Sequence, residues 1–439
     1  MAAAAESAYK IIPGGYGVVA IPALPNKNES DAPIEFGDKY VTKFFYNPGE
    51  KNSAMLAAAK LPELLGEENT GHAMYNYKRN YTYKNIPTSL KSQFRKSLET
   101  GELQFNKASQ IAHASKIPMV RMPNLGIDIL NVTEDSAAIE KLRKVPVEVV
   151  LNQMLKVLRQ LKYLNESSAY IHGDVRDTNI VINPETGTTT LIDFDVLTPE
   201  KDIFKFKNMY LYSSPPELFL TKYLDRFSSL TSSANTVNEL NGILKTDAFL
   251  KKMYIEYYDK HKNIQEYLFA KDFKPVELTA VILNNLNEMK RKMSRRIPSL
   301  SKVFIYSVFP TIDAFGFGLS FLILFKSLYE PAFDAFTMAK SEDDAKNELY
   351  TLLTNDDGTP RYTHEQIHVI FTNIVDILNI LKNMYSLVLK SRYSTSDGYY
   401  MLKTHVDTIL AAVNPPAGAG ASTRRRRRRG GARTLRRKK

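Results

Sequence analysis

The chain has 439 residues, 44% of them hydrophobic, enough to bury a large core, and a formal charge of +12. It has no cysteine, which excludes disulfides, thiolate nucleophiles and cysteine-ligated zinc. Its seven histidines are scattered and form no HExxH pair.

The N-terminal third reads mostly as strands. Ile11 to Ile21 gives two strand-like pieces around the glycine turn Gly14-Gly15-Tyr16-Gly17, and Tyr40 to Tyr46 gives another strand. A helix is expected from Glu50 toward Leu61, opened by Asn47-Pro48-Gly49 and broken at Pro62. Ile117 to Met122 reads as a strand, and Pro123-Asn124-Leu125-Gly126 as a crossing loop. The chain then turns helical. Pro146 to Asn165 carries Val150, Leu151, Met154, Leu155, Leu158 and Leu161 at helical spacing, with proline at its start. Ile180 to Ile192 reads as strand, turn, strand, with Asn183, Pro184 and Gly187 as turn signals. Further helical stretches are expected between Leu218 and Leu300, from Asp313 to Leu328 and from Gln366 to Lys390. Strands first and helices after give an α+β class. The longest apolar run, Phe315 to Phe325, is too short to span a bilayer, and the first residues lack a secretory pattern, so no membrane partner is expected.

The charge is not spread evenly. Arg424 to Arg429, Arg433, Arg436, Arg437, Lys438 and Lys439 account for eleven positive charges, and the rest of the chain is +1. A Pro/Gly/Ala-rich linker, 414–422, precedes them. A run of like charges without acidic neighbours repels itself and binds polyanions, so the tail is expected to be disordered and to contact nucleic acid or another polyanion.

One constellation carries chemistry. His172-Gly173-Asp174-Val175-Arg176-Asp177-Thr178-Asn179 is followed by Leu191-Ile192-Asp193-Phe194-Asp195. The hairpin between them would return Asn179 and Asp193 to the same end. An amide oxygen and a carboxylate suit Mg²⁺, a hard cation that prefers oxygen ligands. Asp174 is placed to accept a hydroxyl proton.

These motifs resemble the protein kinase fold. Gly14 to Val19 is similar to the nucleotide-covering loop, with Ile12 in place of its first glycine, and Lys43 in Val41-Thr42-Lys43 is similar to the phosphate-pairing lysine. Ser214-Pro215-Pro216-Glu217 is similar to the end of an activation segment, and Asp313-Ala314-Phe315-Gly316-Phe317-Gly318 to the start of the central helix of the large lobe. More narrowly, Gly15-Tyr16-Gly17 followed by Ile21 to Pro25, Val41 to Phe45, and Met122 to Asp128 resemble the divergent serine/threonine kinases of nucleocytoplasmic large DNA viruses.

The resemblance implies two lobes: a β-rich N-lobe over 8–121 and a helical C-lobe over 122–413 with a helical insertion at 218–312, followed by a disordered linker and basic tail at 414–439. It implies an ATP-dependent protein kinase using Mg²⁺ or Mn²⁺ and acting on a protein substrate. Asp174, Lys43 and Arg176 would be catalytic. Gly14, Gly15, Tyr16, Gly17, Val19, Lys43 and Met122 would bind ATP, and Asn179 and Asp193 the metal. Glu50 (or Glu63) would pair with Lys43, Asp313 would hold the catalytic loop, and Arg392 would pair with Glu217. The protein would reside in host cytoplasm or nucleus, with packaging in the virion open. Asp193-Phe194-Asp195 departs from Asp-Phe-Gly, and Gly173 from the usual arginine. An aminoglycoside- or choline-kinase-like enzyme and a pseudokinase scaffold are the alternatives.

Overall fold

A computed structural model describes residues 9–13, 17–24, 39–65, 74–77, 79–205, 213–230, 232–269, 278–337 and 341–414. Three strands open it: β1 (Lys10–Pro13), β2 (Gly17–Ile21) and β3 (Tyr40–Phe45). Then come α1 (Pro48–Leu65), β4 (Tyr75–Asn76), α2 (Thr88–Glu99), α3 (Phe105–His113) and β5 (Met119–Pro123). The strands form one antiparallel sheet in the order β1-β2-β3-β5-β4. Their apolar face, with Val18, Ala20 and Phe44, packs under Leu90, Phe94 and Ile111 of α2 and α3.

The N-terminal third is therefore not mostly strand. The sequence reading missed α2 and α3, whose apolar positions are few and whose caps, Pro87 and Gln104, make no side-chain cap bond. Nor does α1 stop at Pro62. Pro62 lacks the N–H that would bond one turn back, but Leu61 and Leu65 are both buried in the large core, and that burial carries the helix through.

Beyond Pro123 the chain passes through β6 (Ile127–Asp128), α4 (Ile129–Glu134), α5 (Ser136–Arg143) and α6 (Val147–Ser167) to β7 (Tyr170–Ile171), β8 (Ile180–Ile182), β9 (Thr189–Leu191) and β10 (Thr198–Pro199). β6, β8 and β9 form a small antiparallel sheet, and β7 pairs with β10. α7 (Leu224–Ser228), α8 (Ser233–Thr246), α9 (Ala248–Phe269), α10 (Leu278–Lys292) and α11 (Leu300–Ser307) follow. They build a second core around Phe227, Leu286 and Phe304. α12 (Ile312–Thr337), α13 (Glu342–Leu352), α14 (His364–Met384) and α15 (Thr395–Val413) join α6 in the largest core. The class is mixed α+β, mostly helical with small antiparallel sheets.

α14 begins at a reciprocal cap, Gln366 N donating to Thr363 Oγ1 at 3.2 Å and Thr363 N to Gln366 Oε1 at 2.9 Å. It ends six residues before the sequence reading placed it. The carbonyls of Ser386 and Leu387 turn out of the helix to accept bonds from Arg392 at 2.7 and 3.1 Å. One stretch, Leu300–Glu330, is long and apolar enough to cross a membrane, but 89% of its apolar window is buried inside the protein, as befits a core element.

Candidate functional site

The site lies where β3, the β8–β9 hairpin and the start of α12 converge. Register explains the hairpin's role. Ile180 pairs with Leu191, and Ile192 N donates to Asn179 O at 2.8 Å, so Asn179 and Asp193 leave the sheet side by side. Asn179 Nδ2 donates to Asp174 Oδ2 and to Asp174 O, both at 2.8 Å. This leaves the Asn179 carbonyl oxygen for another partner.

Asp313, fully buried at the start of α12, accepts the backbone N–H of His172 at 2.8 Å and of Gly173 at 3.0 Å. Burial pushes its carboxyl up to about 6 against those two bonds. Gly173 sits at φ 79°, a left-handed conformation open to glycine at little cost. His172 is enclosed, and burial lowers its pKa to about 4. Being neutral, it donates from Nε2 to Ile192 O at 2.9 Å and accepts Asp174 N at Nδ1 at 3.3 Å. The loop that presents Asp174 is thus fixed from below by Asp313 and from the side by His172.

Lys43 Nζ lies 3.1 Å from Asp193 Oδ1, with the two side chains 14% and 19% exposed. Burial would lower the Lys43 pKa, but Asp193 and Asp195 outweigh it and raise it. Burial likewise pushes Asp193 up, yet Lys43 holds it below the usual carboxylate range. Asp195 is pushed up to about 7 by burial and by Asp193, with which it shares a hydrogen bond. Asp174, 7% exposed, is pushed up to about 6 by burial, against the pull of Arg176. Arg176 Nε is 3.3 Å from Asp174 Oδ1 without hydrogen-bond alignment, so that oxygen has no hydrogen-bond partner.

Other residues singled out from the sequence fall as follows. Glu50 does not pair with Lys43. Its carboxylate accepts Asn47 N at 3.3 Å at the start of α1, where a first-turn acid also meets the helix dipole. Val19 lies beside Lys43 in the sheet, and Met122 pairs with Val41. Gly17 is held by packing, since a Cβ there would meet Phe44 O at 2.0 Å. Gly14, Gly15 and Tyr16 lie outside the described residues, as does the basic tail. Met122 joins Ala54, Leu61, Met74, Ile192 and Phe194 around a small apolar pocket behind Asp193. Away from the site, Arg392 and Glu217 form a bidentate pair at 2.9 and 3.2 Å.

Two features escaped sequence reading. Asp193 opens the Asp193-Phe194-Asp195 turn in the left-handed region, at φ 65°. Asp195 is a half-buried carboxylate facing Lys43 and Asp193. Asn165, on α6, bonds Asp313 Oδ2 at 3.3 Å and Tyr170 O at 2.8 Å, and nothing in the sequence around it signals that role. Among the described residues no group of three or more His, Cys, Asp or Glu is arranged to hold a metal unaided.

A family model for Seadornavirus VP7 matches residues 72–293, just over half of the chain. The chain belongs to the Seadornavirus VP7 family. The match spans the hairpin with Asp174, Asn179 and Asp193 and most of the helical block after Glu217. No curated protein matches the chain. This membership corrects the functional expectation. The family is one of viral structural proteins, which overturns the assignment as a serine/threonine protein kinase and points away from an enzyme. VP7 membership makes the chain a virion-associated viral protein.

Proposed function

We propose that this VP7 protein is a structural component that holds a nucleoside triphosphate with a divalent cation in the cleft between Lys43 and Asp174, on a two-lobed fold like that of protein kinases. The observation that carries it is the Lys43–Asp193 pair. Two buried charges cost several kcal/mol each to desolvate, and here a second acid, Asp195, and a third, Asp174, crowd the same cleft. A purely structural pair gains nothing from extra like charges, whereas a site for a cation and phosphates does.

The residues fit the group. Asn179 has a carbonyl oxygen to offer, and Asp193 and Asp174 offer carboxylate oxygens, a hard-donor set suited to Mg²⁺ or Mn²⁺. Asn179 and Asp193 would hold the cation, and Lys43 the phosphates. The bound cation would supply the positive charge that offsets the phosphate oxygens. Asp313 and His172 keep Asp174 and Asn179 in place whether or not ligand is bound.

The test is thermal unfolding of the whole protein with ATP, with Mg²⁺, and with both. A ligand at a hundred times its Kd adds about 2.7 kcal/mol, so both together should raise Tm by several degrees and either alone by less. No shift at millimolar concentrations would sink the reading.

A virion protein acts through protein partners, and the tail suggests one of another class. Its eleven basic residues favour nucleic acid, bound through phosphate with little sequence preference because no aromatic residue lies among them. Residence in host cytoplasm or nucleus belongs to the same proposal. Loss of salt-sensitive binding to duplex nucleic acid on replacing Arg424 to Arg429 by Gln would support it, and unchanged affinity and salt slope would refute it.

A further inference from the structure

The connection between α10 and α11 is the most basic stretch of the chain ahead of the tail. Residues 290–302 hold six basic residues and no acid: Lys290, Arg291, Lys292, Arg295, Arg296 and Lys302. No other stretch of that length before the tail holds as many. The backbone closes tightly here. Ser294 N donates to Ile297 O at 2.9 Å and Ile297 N to Ser294 O at 3.1 Å, so Arg295 and Arg296 form the tip of a four-residue turn. Met293 and Ile297 on its flanks pack against the second core, and Leu300 is buried in it. The apolar flanks are held, and both arginine side chains are exposed.

α11 completes the surface. Lys302 and Tyr306 lie four residues apart on it, hence on one face, and Tyr306 is 68% exposed. Lys292 Nζ donates to Ser307 Oγ at 3.4 Å, which brings the end of α10 against the last turn of α11. The patch is thus one continuous run of chain, tied across by that bond.

Local structure accounts for half of the charge. Lys290, Arg291 and Lys292 sit in the last turn of α10, where cations suit the helix dipole. Lys290 donates to Leu230 O and Thr236 Oγ1, and Arg291 pairs with Glu288 at 2.6 Å. The other half has no such account. Lys302 stands in the first turn of α11, its N–H capped by Ser299 Oγ at 3.3 Å, and there the dipole opposes a cation. Arg295 and Arg296 are neighbours at a tip, and neither they nor Lys302 has a carboxylate partner among the described residues. Asp225, beside the start of α11, accepts Ser301 Oγ at 3.1 Å instead. Like charges gathered against a dipole destabilise the free protein, and a bound anion offsets that cost.

We infer that the α10–α11 turn binds single-stranded nucleic acid, with Arg295, Arg296 and Lys302 on its phosphates and Tyr306 stacked on a base. Guanidinium forks match phosphate oxygens in pairs. An exposed tyrosine one helical turn from Lys302 gives an unpaired base a π-face, which a duplex leaves unused because its bases are stacked on one another. An acidic peptide would match the charge and have no use for Tyr306. A lipid surface would match it too, but the apolar residues flanking the tip, Met293 and Ile297, face the core and cannot insert.

The experiment uses the full chain with Arg424→Gln through Arg429→Gln, which silences the tail, and titrates a labelled oligouridylate, a duplex RNA and polyglutamate over a salt series. Adding Arg295→Gln, Arg296→Gln and Lys302→Gln should weaken oligouridylate binding at least tenfold. It should also flatten the log–log salt slope by about 2, since each phosphate contact on a single strand contributes about 0.7. Tyr306→Ala should weaken oligouridylate binding about tenfold and duplex binding little. Replacing Arg95, Lys156 and Arg159 by Gln removes the same charge from exposed positions elsewhere, and should leave affinity and slope near those of the parent. All the substituted side chains are exposed, so Tm should hold in each variant. Unchanged affinity in the Arg295/Arg296/Lys302 variant would overturn the inference, as would equal weakening in the two triple variants. So would duplex or polyglutamate binding as tight as that of oligouridylate, or a Tyr306→Ala variant indistinguishable from its parent.

Discussion

Two ion pairs in this protein are similar in length and differ in kind. Arg392 and Glu217 are 0% and 2% exposed, and their remaining valences are filled. Asn285 Nδ2 donates to Glu217 Oε1 at 2.5 Å, and the Arg392 Nε and Nη2 reach the carbonyls of Ser386 and Leu387. That pair joins the second core to the loop after α14. Lys43 and Asp193 are partly exposed, surrounded by two further carboxylates, and beside an Asp174 oxygen that lacks a hydrogen bond. A finished network stabilises one conformation, and an unfinished one marks where something else binds.

The largest expected effect falls on the finished pair. Arg392→Met leaves Glu217 buried and uncompensated, and should cost about 3–5 kcal/mol in urea unfolding. Near wild-type stability would mean the pair is not a structural tie. Next is His172, buried neutral. Its pKa is depressed in the folded state, so the unfolded chain binds the proton first and stability is lost as pH falls from about 6.5 toward about 4. At about 1.4 kcal/mol per pH unit the loss approaches about 3 kcal/mol. The raised carboxyls of Asp313 and Asp174 work in the opposite direction over an overlapping range, since the folded state holds their protons more tightly. His172→Gln should therefore gain stability relative to the parent as pH falls through that window. A constant difference between pH 7 and pH 4 would contradict the assignment.

Changes at the unfinished pair should behave in the reverse way. Lys43→Met should lower nucleotide affinity by tenfold or more, about 1.4 kcal/mol, and should cost less stability than Arg392→Met, because the acids it leaves behind are partly exposed and can take up water or a proton. A drop in Tm comparable to that of Arg392→Met would put the two pairs in one class. Smallest is the effect of exposed α2 side chains on the cleft: Arg95→Gln and Lys96→Gln should change stability by no more than about 0.5 kcal/mol and leave nucleotide affinity unchanged.

Much of this was legible in the sequence because its signals are local. The β8–β9 hairpin is marked by turn residues between β-branched runs, and α6 by its apolar spacing and leading proline. Asn179, Asp193 and Asp174 meet because hairpin register fixes them. What was not legible depends on distant partners. α2 and α3 exist because a sheet face needs covering, α1 runs through Pro62 because Leu65 finds the core, and Glu50 turns to its own helix end and not to Lys43. Function was the least legible. The motif pattern pointed to phosphotransfer, and the family match redirected it to a viral structural protein.

The most direct test is calorimetric titration of ATP into the whole protein with and without Mg²⁺, alongside Asp193→Ala, with ADP release followed in the same samples. The account predicts one Mg²⁺-dependent site, lost in Asp193→Ala, and no ADP release that depends on Asp174. Absence of binding to the wild-type protein at millimolar ATP would contradict the nucleotide site, and ADP release abolished by Asp174→Asn would contradict the reading as a structural protein.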